Sequence, residues 1–278
     1  MSYDTSVNRE VCWRYLASHW EDTLKNMRFM VSAPNAFKED PCDCVCEVDG
    51  VLPEDVWQRY RKTHNWRDEA RRLNIPEDEL GALLNSKLLN RDFLSRVIRE
   101  KISDRSAMSE KYRILCTSNS CASLRTEMHM WEKYAGKFSG VRIGLMFEQG
   151  MDLNGASRVQ EVSYCDDGPV WNLSDMTEFP PNGEFLIPTI MTKREEYSVE
   201  QEYRLLIMDS RCDHEKGRSF WHCRPEFIRV LDLGPLFERS RILELAKLAR
   251  SACPHIVVRK AEFSEDGKEI NYQKVEYA

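Results

Sequence analysis

The sequence predicts an α+β fold whose core is a largely antiparallel sheet, with a helical insert in the N-terminal half. Three observations carry this. Past residue 110 segment after segment has the β-branched and aromatic composition of strands, and only the helices near 124–137 and 236–250 intervene. The clearest three-and-four spacing of apolar residues is instead confined to residues 53–110. Strands that mostly follow strands argue against a doubly wound parallel sheet, in which strands alternate with helices. At 278 residues and 42% hydrophobic content the chain can bury one extended domain, 1–278, carrying 53–110 as an insert.

In chain order, Val11-Cys12-Trp13-Arg14-Tyr15-Leu16 reads as a short strand. Ser18-His19-Trp20-Glu21 matches a capping box, in which the serine hydroxyl and the glutamate carboxylate each satisfy an orphan first-turn amide, so a helix is expected to about Met27. Arg28-Phe29-Met30-Val31 is a second strand, ended by Pro34 and followed by the turn-prone stretch from Lys38 to Asp43. Pro53 and Pro76 sit where a first helical turn accepts proline, each followed by acidic residues that suit the helix dipole. Within that insert Leu80, Leu83, Leu84 and Leu88, then Phe93, Leu94, Val97, Ile98 and Ile102, mark core-facing stripes. Strands are next expected over Tyr112 to Cys116, Val141 to Phe147, Arg158 to Cys165, Glu202 to Met208, Phe227 to Leu233, His255 to Phe263 and Glu269 to Val275. Helices are expected over Leu124 to Lys137 and over Leu236 to Arg250. The stretch from Asp166 to Pro188, with Pro169, Pro180, Pro181 and Gly183, is long for a connection and reads as a lid or binding loop.

Composition narrows the function classes. A membrane span needs about 20 consecutive apolar residues, and runs such as Leu205-Leu206-Ile207-Met208 fall far short, so no membrane partner is expected. The first residues lack the basic and apolar regions of a secretory signal, which points to the cytoplasm. A net charge of −6 disfavours a footprint built on phosphates along a duplex. The 10 cysteines are too sparse for a disulfide scaffold and are expected as reduced thiols. Cys42, Cys44 and Cys46 would share one face of an extended strand, and Cys212, His214, His222 and Cys223 offer metal-binding atoms, but neither spacing is that of a structural zinc site. No metal is expected. In the insert, Arg59, Arg61, Lys62, Arg67, Arg71 and Arg72 alternate with Trp57, Tyr60 and Trp66, a pattern that suits either single-strand nucleic acid or a solvated helix face.

No P-loop, nucleophile elbow, zincin motif or dinucleotide glycine fingerprint is present. The chemistry-bearing pattern is Glu200-Gln201-Glu202-Tyr203-Arg204 at the start of a strand. If the chain is extended from Glu200, then Glu200, Glu202 and Arg204 share one face while Tyr203, Leu205 and Ile207 pack on the other. Two such carboxylates beside an arginine can divide labour, one orienting a ribose hydroxyl or stabilising a cation and the other acting as a base. The same pattern also fits a polar strand face with a Glu–Arg pair. Cys116-Thr117-Ser118-Asn119-Ser120 ends another strand, where short hydroxyls orient carboxylates or cap helices. Trp131 and Tyr134 share a helix face three residues apart, as ligand-stacking or core aromatics.

These pieces have a collective likeness. Trp13-Arg14-Tyr15, Asp40-Pro41-x-Asp43, Met130-Trp131-x-x-Tyr134-Ala135 with Gly140 and Ile143-Gly144, Glu200-x-Glu202-Tyr203-Arg204 and Leu233-Gly234-Pro235 together resemble the prokaryotic domain-of-unknown-function family numbered 2971. The order of an early strand with arginine, a Ser/Thr strand end, a helix aromatic and a late E-x-E strand is also similar to that of ADP-ribosyltransferases. That resemblance implies a consumer of NAD, by ADP-ribose transfer or hydrolysis, as an effector in prokaryotic defence or a toxin. It implies Glu202 and Glu200 as catalytic residues and Arg14, Tyr15, Ser118, Trp131, Tyr134 and Arg204 around the dinucleotide. Glu202 would stabilise an oxocarbenium-like state, Glu200 would serve an acceptor that is protein or nucleic acid, and Arg14 would bind pyrophosphate. The alternatives are a non-catalytic nucleotide-recognising or partner-binding module of a defence or toxin–antitoxin system, and RNA or single-strand binding through the insert.

Overall fold

The computed structural model describes residues 11–38, 40, 43–65, 68, 76, 91–102, 111–119, 123–147, 153, 156–177 and 187–276. The first strands in chain order are β1 (Val11–Leu16), β2 (Arg28–Val31), β3 (Glu47–Asp49), β4 (Tyr112–Ser118), β5 (Val141–Met146), β6 (Ala156–Glu161), β7 (Ser163–Tyr164) and β8 (Val170–Asn172). They are followed by β9 (Thr192–Lys193), β10 (Glu202–Met208), β11 (Asp213–Glu215), β12 (Arg218–His222), β13 (Ile228–Leu233), β14 (Val257–Phe263) and β15 (Ile270–Lys274). The α-helices are α1 (Trp20–Asn26), α2 (Glu54–Thr63), α3 (Arg91–Ile102), α4 (Leu124–Tyr134), α5 (Ile187–Ile190) and α6 (Ile242–Ala252).

Eight strands form the main sheet, in the order β15-β14-β13-β5-β1-β4-β10-β6. Every neighbouring pair is antiparallel except β13 with β14. The exception is the pair joined through α6, because parallel neighbours need a crossover of about a dozen residues or more. The expected α+β class with a largely antiparallel sheet is therefore the observed one. A smaller antiparallel sheet, β11-β12-β2, stands beside it, and β3 with β8 and β7 with β9 make short parallel pairs.

Period-two alternation sorts the side chains of the main sheet. Trp13 and Tyr15 of β1 pack with Trp131 and Ala135 at the α4 side. Leu115, Ile143, Leu145, Leu205 and Ile207 belong to the largest apolar cluster, closed by Leu24 of α1 and Leu245 and Ala249 of α6. The turn after α4 leaves no room for a Cβ at Gly140, whose backbone lies against the Leu16 carbonyl, nor at Gly234 against Phe138. Both glycines are thus close-approach positions.

Several local expectations are corrected. The capping box does not form: His19 precedes α1 in the left-handed region, at φ 62°, and makes no side-chain cap bond, so the backbone turn displaces Ser18 from the capping position. The strand expected over Arg158 to Cys165 breaks at Val162, after which β7 leaves the main sheet to pair with β9. The last helix starts at Ile242, because the chain first makes a 3₁₀ turn over Arg239–Arg241 and buries Phe237 against Trp20 with ring centroids 5.5 Å apart. Of the stretch from Asp166 to Pro188, residues 178–186 lie outside the described residues, and the part before them is not a free loop. It holds β8, and Leu173 and Met176 are buried with Leu52, Val56 and Trp57 of the insert region. Cys44 sits at φ 58° rather than on a strand, so the extended strand expected there is not formed at Cys44; Cys44 and Cys46 are buried thiols, and Cys42 lies outside the described residues.

The insert is described through α2 and α3. Leu94 packs on its apolar cluster, whereas Leu80, Leu83, Leu84 and Leu88 lie outside the described residues. Of the basic and aromatic run, Trp57 is 3% exposed and belongs to the core, and Arg59 pairs with Asp55 at 3.0 Å. Trp57 is therefore not available to stack a base; Trp66, Arg67, Arg71 and Arg72 lie outside the described residues. Among the described residues no helix is long and apolar enough to cross a membrane.

Candidate functional site

The site begins with a parting of two strands. The register joins β1 to β4 at Trp13↔Ser118 alone, whereas β4 pairs with β10 along its whole length. The end of β2 takes the place of β1 further along: Ser32 and Ile114 exchange backbone hydrogen bonds of 3.0 and 2.8 Å. Where β1 and β4 part, Arg14 reaches across and its Nη1 donates to the Cys116 carbonyl at 2.8 Å. A cavity of about 430 Å³ opens here, within the roughly 300–1,000 Å³ of small-molecule clefts. Arg14, Tyr15, Thr117, Tyr134, Glu200 and Glu202 are among its lining residues.

Glu200 and Glu202 reach the cavity by a route other than the one their spacing suggests. Glu200 ends a 3₁₀ turn over Glu195–Glu200, and Gln201 adopts φ 43° and ψ 54° before β10 begins at Glu202. The two carboxylates thus do not share a strand face; Lys193 of β9 joins them, its Nζ donating to Glu200 Oε2 at 2.7 Å and Glu202 Oε2 at 3.0 Å. Glu200 Oε1 also accepts from Lys133 Nζ at 2.8 Å and from the Tyr134 hydroxyl at 2.6 Å. Glu202 Oε1 accepts from Arg204 Nε at 2.7 Å, and Arg204 turns its other edge to Asp43, donating to Oδ1 and Oδ2 at 2.8 and 2.9 Å. The result is a chain of alternating charge, buried from Asp43 through Arg204, Glu202 and Lys193 to Glu200 and ending at the more exposed Lys133.

The electrostatics follow from that alternation. Burial alone would raise the Glu202 carboxyl, but Arg204 and Lys193 outweigh it and hold it at about 2. Burial likewise works against the charge on Glu200, yet Lys193 and Lys133 keep it below the ordinary glutamate value. Lys193 is raised above its ordinary value, burial being overcome by Glu202 and Glu200. Tyr134 is raised by burial and by the neighbouring Glu200 charge, so its hydroxyl stays a donor. Both carboxylates are ionised at neutral pH.

The structure brings together only some of the candidates. Arg14, Tyr15, Tyr134, Glu200 and Glu202 line the cavity; Ser118, Trp131 and Arg204 do not. Ser118 is fully buried and donates to the Glu200 carbonyl at 2.6 Å, so it fixes the turn that aims Glu200. Trp131 and Tyr134 were expected to reach the Glu200–Glu202 strand end together, and Tyr134 alone does. Trp131 is 0% exposed and donates from Nε1 to the Tyr272 hydroxyl at 3.1 Å. There it walls a buried Arg142, whose guanidinium lies 4.0 Å from the Trp13 ring centroid and bonds Asp232, Glu127 and the Tyr15 hydroxyl at 2.8, 2.7 and 3.0 Å. Arg204 is likewise consumed, fully buried between Glu202 and Asp43.

Sequence reasoning missed Lys193, Lys133 and Tyr164, whose hydroxyl accepts the Glu202 backbone N–H at 2.8 Å. No local pattern marks Lys193, which stands in a stretch without periodicity. Asp43 did carry a signal, as part of Asp40-Pro41-x-Asp43. The Cys212, His214, His222 and Cys223 set is dispersed: His214 contacts Ser219 and His222 contacts Asp213. Among the described residues no group of three or more His, Cys, Asp or Glu side chains is placed to hold a metal.

Comparison with known families gives one match. A family described as "Protein of unknown function (DUF2971)" matches residues 130–205. That stretch runs from α4 to β10 and contains Lys133, Tyr134, Lys193, Glu200, Glu202 and Arg204, that is, the charged side of the cavity but not Arg14 or Asp43. No curated protein and no solved structure matches the chain.

Proposed function

We propose that the cavity binds a dinucleotide and that the chain consumes NAD, by hydrolysis or by ADP-ribose transfer. The observation that carries this reading is a single cavity lined by two buried, ionised carboxylates, Glu200 and Glu202, and by Arg14, an arginine with no carboxylate partner among the described residues. An unpaired guanidinium in a cleft calls for an anion, and its fork suits the pyrophosphate of a dinucleotide. Carboxylates in the same cleft suit the opposite charge, which develops on ribose when the bond from its anomeric carbon to the nicotinamide nitrogen breaks. The bonding pair leaves with nicotinamide, which departs neutral; water or an acceptor nucleophile then adds to the anomeric carbon and loses a proton.

The roles of the two carboxylates follow from their remaining valence. A carboxylate offers about four acceptor sites. Glu200 Oε2 receives only Lys193 among the hydrogen bonds described, so it retains capacity for a ribose hydroxyl. Its lowered pKa fits hydrogen-bond acceptance better than proton uptake, for which a value near the working pH is favoured. Glu202 contributes negative charge to the cavity wall, tempered by Arg204 and Lys193.

The second reading is a module that recognises a nucleotide without turning it over, as one part of a defence or toxin–antitoxin system. It is favoured by the near saturation of Glu202, whose oxygens accept from Arg204 and Lys193. Mixing the purified full-length chain with NAD and measuring free nicotinamide separates the two: release supports the enzyme, and binding without release supports the module.

A further inference from the structure

One wall of the cavity has no task in the proposed chemistry. Met30 of β2 and Phe220 of β12 line it, while the reaction calls on Arg14 and the two glutamates. The register sets Phe220 directly opposite Met30, so both side chains stand on one face of the small sheet. Met30 is 43% exposed and Phe220 9%, which makes an apolar shelf with one accessible side chain. The ring is braced. Arg28, which does not line the cavity, holds its guanidinium 4.2 Å from the Phe220 ring centroid and is itself pinned by Asp22 and Glu215 at 3.1 and 2.8 Å.

Strand order fixes where this shelf lies relative to the reacting groups. Ser32 exchanges backbone bonds with Ile114, so β2 flanks β4 on one side, while β10 flanks it on the other and pairs Glu202 with Ser118. The lateral order is therefore β10, β4, β2, β12. With neighbouring strands about 4.8 Å apart, β12 stands about 14 Å from β10. Arg14 donates to the Cys116 carbonyl of β4, between the two. A dinucleotide with its pyrophosphate at Arg14 and its nicotinamide ribose at Glu200 and Glu202 thus extends its other half away from β10, toward Met30 and Phe220. The side chains agree with that polarity. The β10 end carries Glu200, Glu202, Lys133 and Lys193, whereas the shelf offers a thioether and a phenyl ring, which suit a flat, uncharged base.

We infer that the Met30–Phe220 shelf is the purine subsite of the cavity, on which the adenine of the dinucleotide rests while Arg14 holds the pyrophosphate between it and the carboxylates. This rests on the reading of the cavity as a dinucleotide site. The test is equilibrium binding of NAD and of nicotinamide mononucleotide, which lacks the adenylate half, to the full-length chain and to two variants checked for folding by circular dichroism. The wild-type chain is expected to bind NAD at least about tenfold more tightly, a factor matching one stacked base. Phe220→Leu keeps apolar volume but removes the flat ring, and is expected to weaken NAD about tenfold while leaving the mononucleotide within about twofold. Met30→Ala, at a more exposed position and so safer for folding, is expected to weaken NAD about threefold with the same selectivity. Equal binding of NAD and the mononucleotide by the wild-type chain overturns the inference and leaves the NAD-consuming reading intact. The same holds if folded Met30→Ala leaves NAD affinity unchanged, or weakens both ligands equally. Failure of both ligands to bind the wild-type chain overturns the inference and the reading beneath it together.

Discussion

Replacing Lys193 by glutamine probes the joint on which the candidate site depends. Lys193 Nζ lies 2.7 Å from Glu200 and 3.0 Å from Glu202, and its side chain is 9% exposed. Removing one partner of a buried ion pair costs about 3–5 kcal/mol, because the charge left behind is uncompensated. Here Glu202 keeps Arg204, and Glu200 keeps Lys133 and Tyr134, so the lower end, about 3 kcal/mol near pH 7, is expected. The pH dependence supplies a second and independent readout. A carboxyl depressed in the folded state stabilises it above the unfolded pKa, and that contribution is lost as pH falls through the folded value. For Glu202, depressed from 4.5 to about 2, the loss sets in below about pH 5 and amounts to roughly 1 kcal/mol between pH 7 and pH 4. Lys193, raised in the folded state, contributes fully below its unfolded value and loses only in strong alkali. In the variant both carboxyls sit nearer their ordinary values, so it loses less on acidification and the gap to wild type narrows by roughly 1 kcal/mol near pH 4. Urea unfolding at the two pH values measures this directly. A destabilisation under about 1 kcal/mol at neutral pH, or a gap that stays constant or widens in acid, would refute the reasoning that Lys193 joins two ionised carboxylates.

Three further predictions bear on individual residues. Glu202→Gln is expected to lower nicotinamide release by about 10²–10³-fold, the loss typical of one preorganised electrostatic group, and also to cost about 3 kcal/mol in thermal or urea unfolding because Arg204 and Lys193 lose a buried partner; full activity would reassign the role to Glu200. Arg14→Lys keeps the charge but loses the planar fork, so dinucleotide affinity is expected to fall about tenfold with little change in stability, as calorimetric titration would show. Trp131→Phe is expected to cost about 2 kcal/mol through lost packing around Arg142 and the lost bond to Tyr272, and to leave dinucleotide affinity within about twofold of wild type, since Trp131 does not line the cavity. A large affinity loss for that variant at unchanged stability would return Trp131 to the ligand.

The sequence by itself determined the class of the fold and singled out Arg14, Tyr15, Tyr134, Glu200 and Glu202, which the structure brings to one cavity. β1, β2 and β10 were legible because composition and alternation mark a strand locally, and α4 was legible as a helix from Leu124, whose cap at Ser123, accepting the Thr126 N–H at 3.0 Å, only the structure shows. Short pieces such as β3, β8 and β9 were not, since two or three residues carry no period and their pairing partners lie far along the chain. The E-x-E motif shows the same division. Its residue types and neighbours were visible in the sequence, but the left-handed Gln201 that separates Glu200 from Glu202 was not. Neither was Lys193, which rejoins them from another strand. Trp131 and Tyr134, alike in sequence as aromatics on one helix face, were assigned opposite fates only in three dimensions. The buried Arg142 draws Trp131 into a cage with Trp13 and Tyr272, and Glu200 draws Tyr134 to the cavity. The physical reason is common to these cases: local propensity acts over a few residues, whereas a buried charge must find its counter-charge wherever the fold brings one within about 3 Å, and that distance is set by tertiary structure alone.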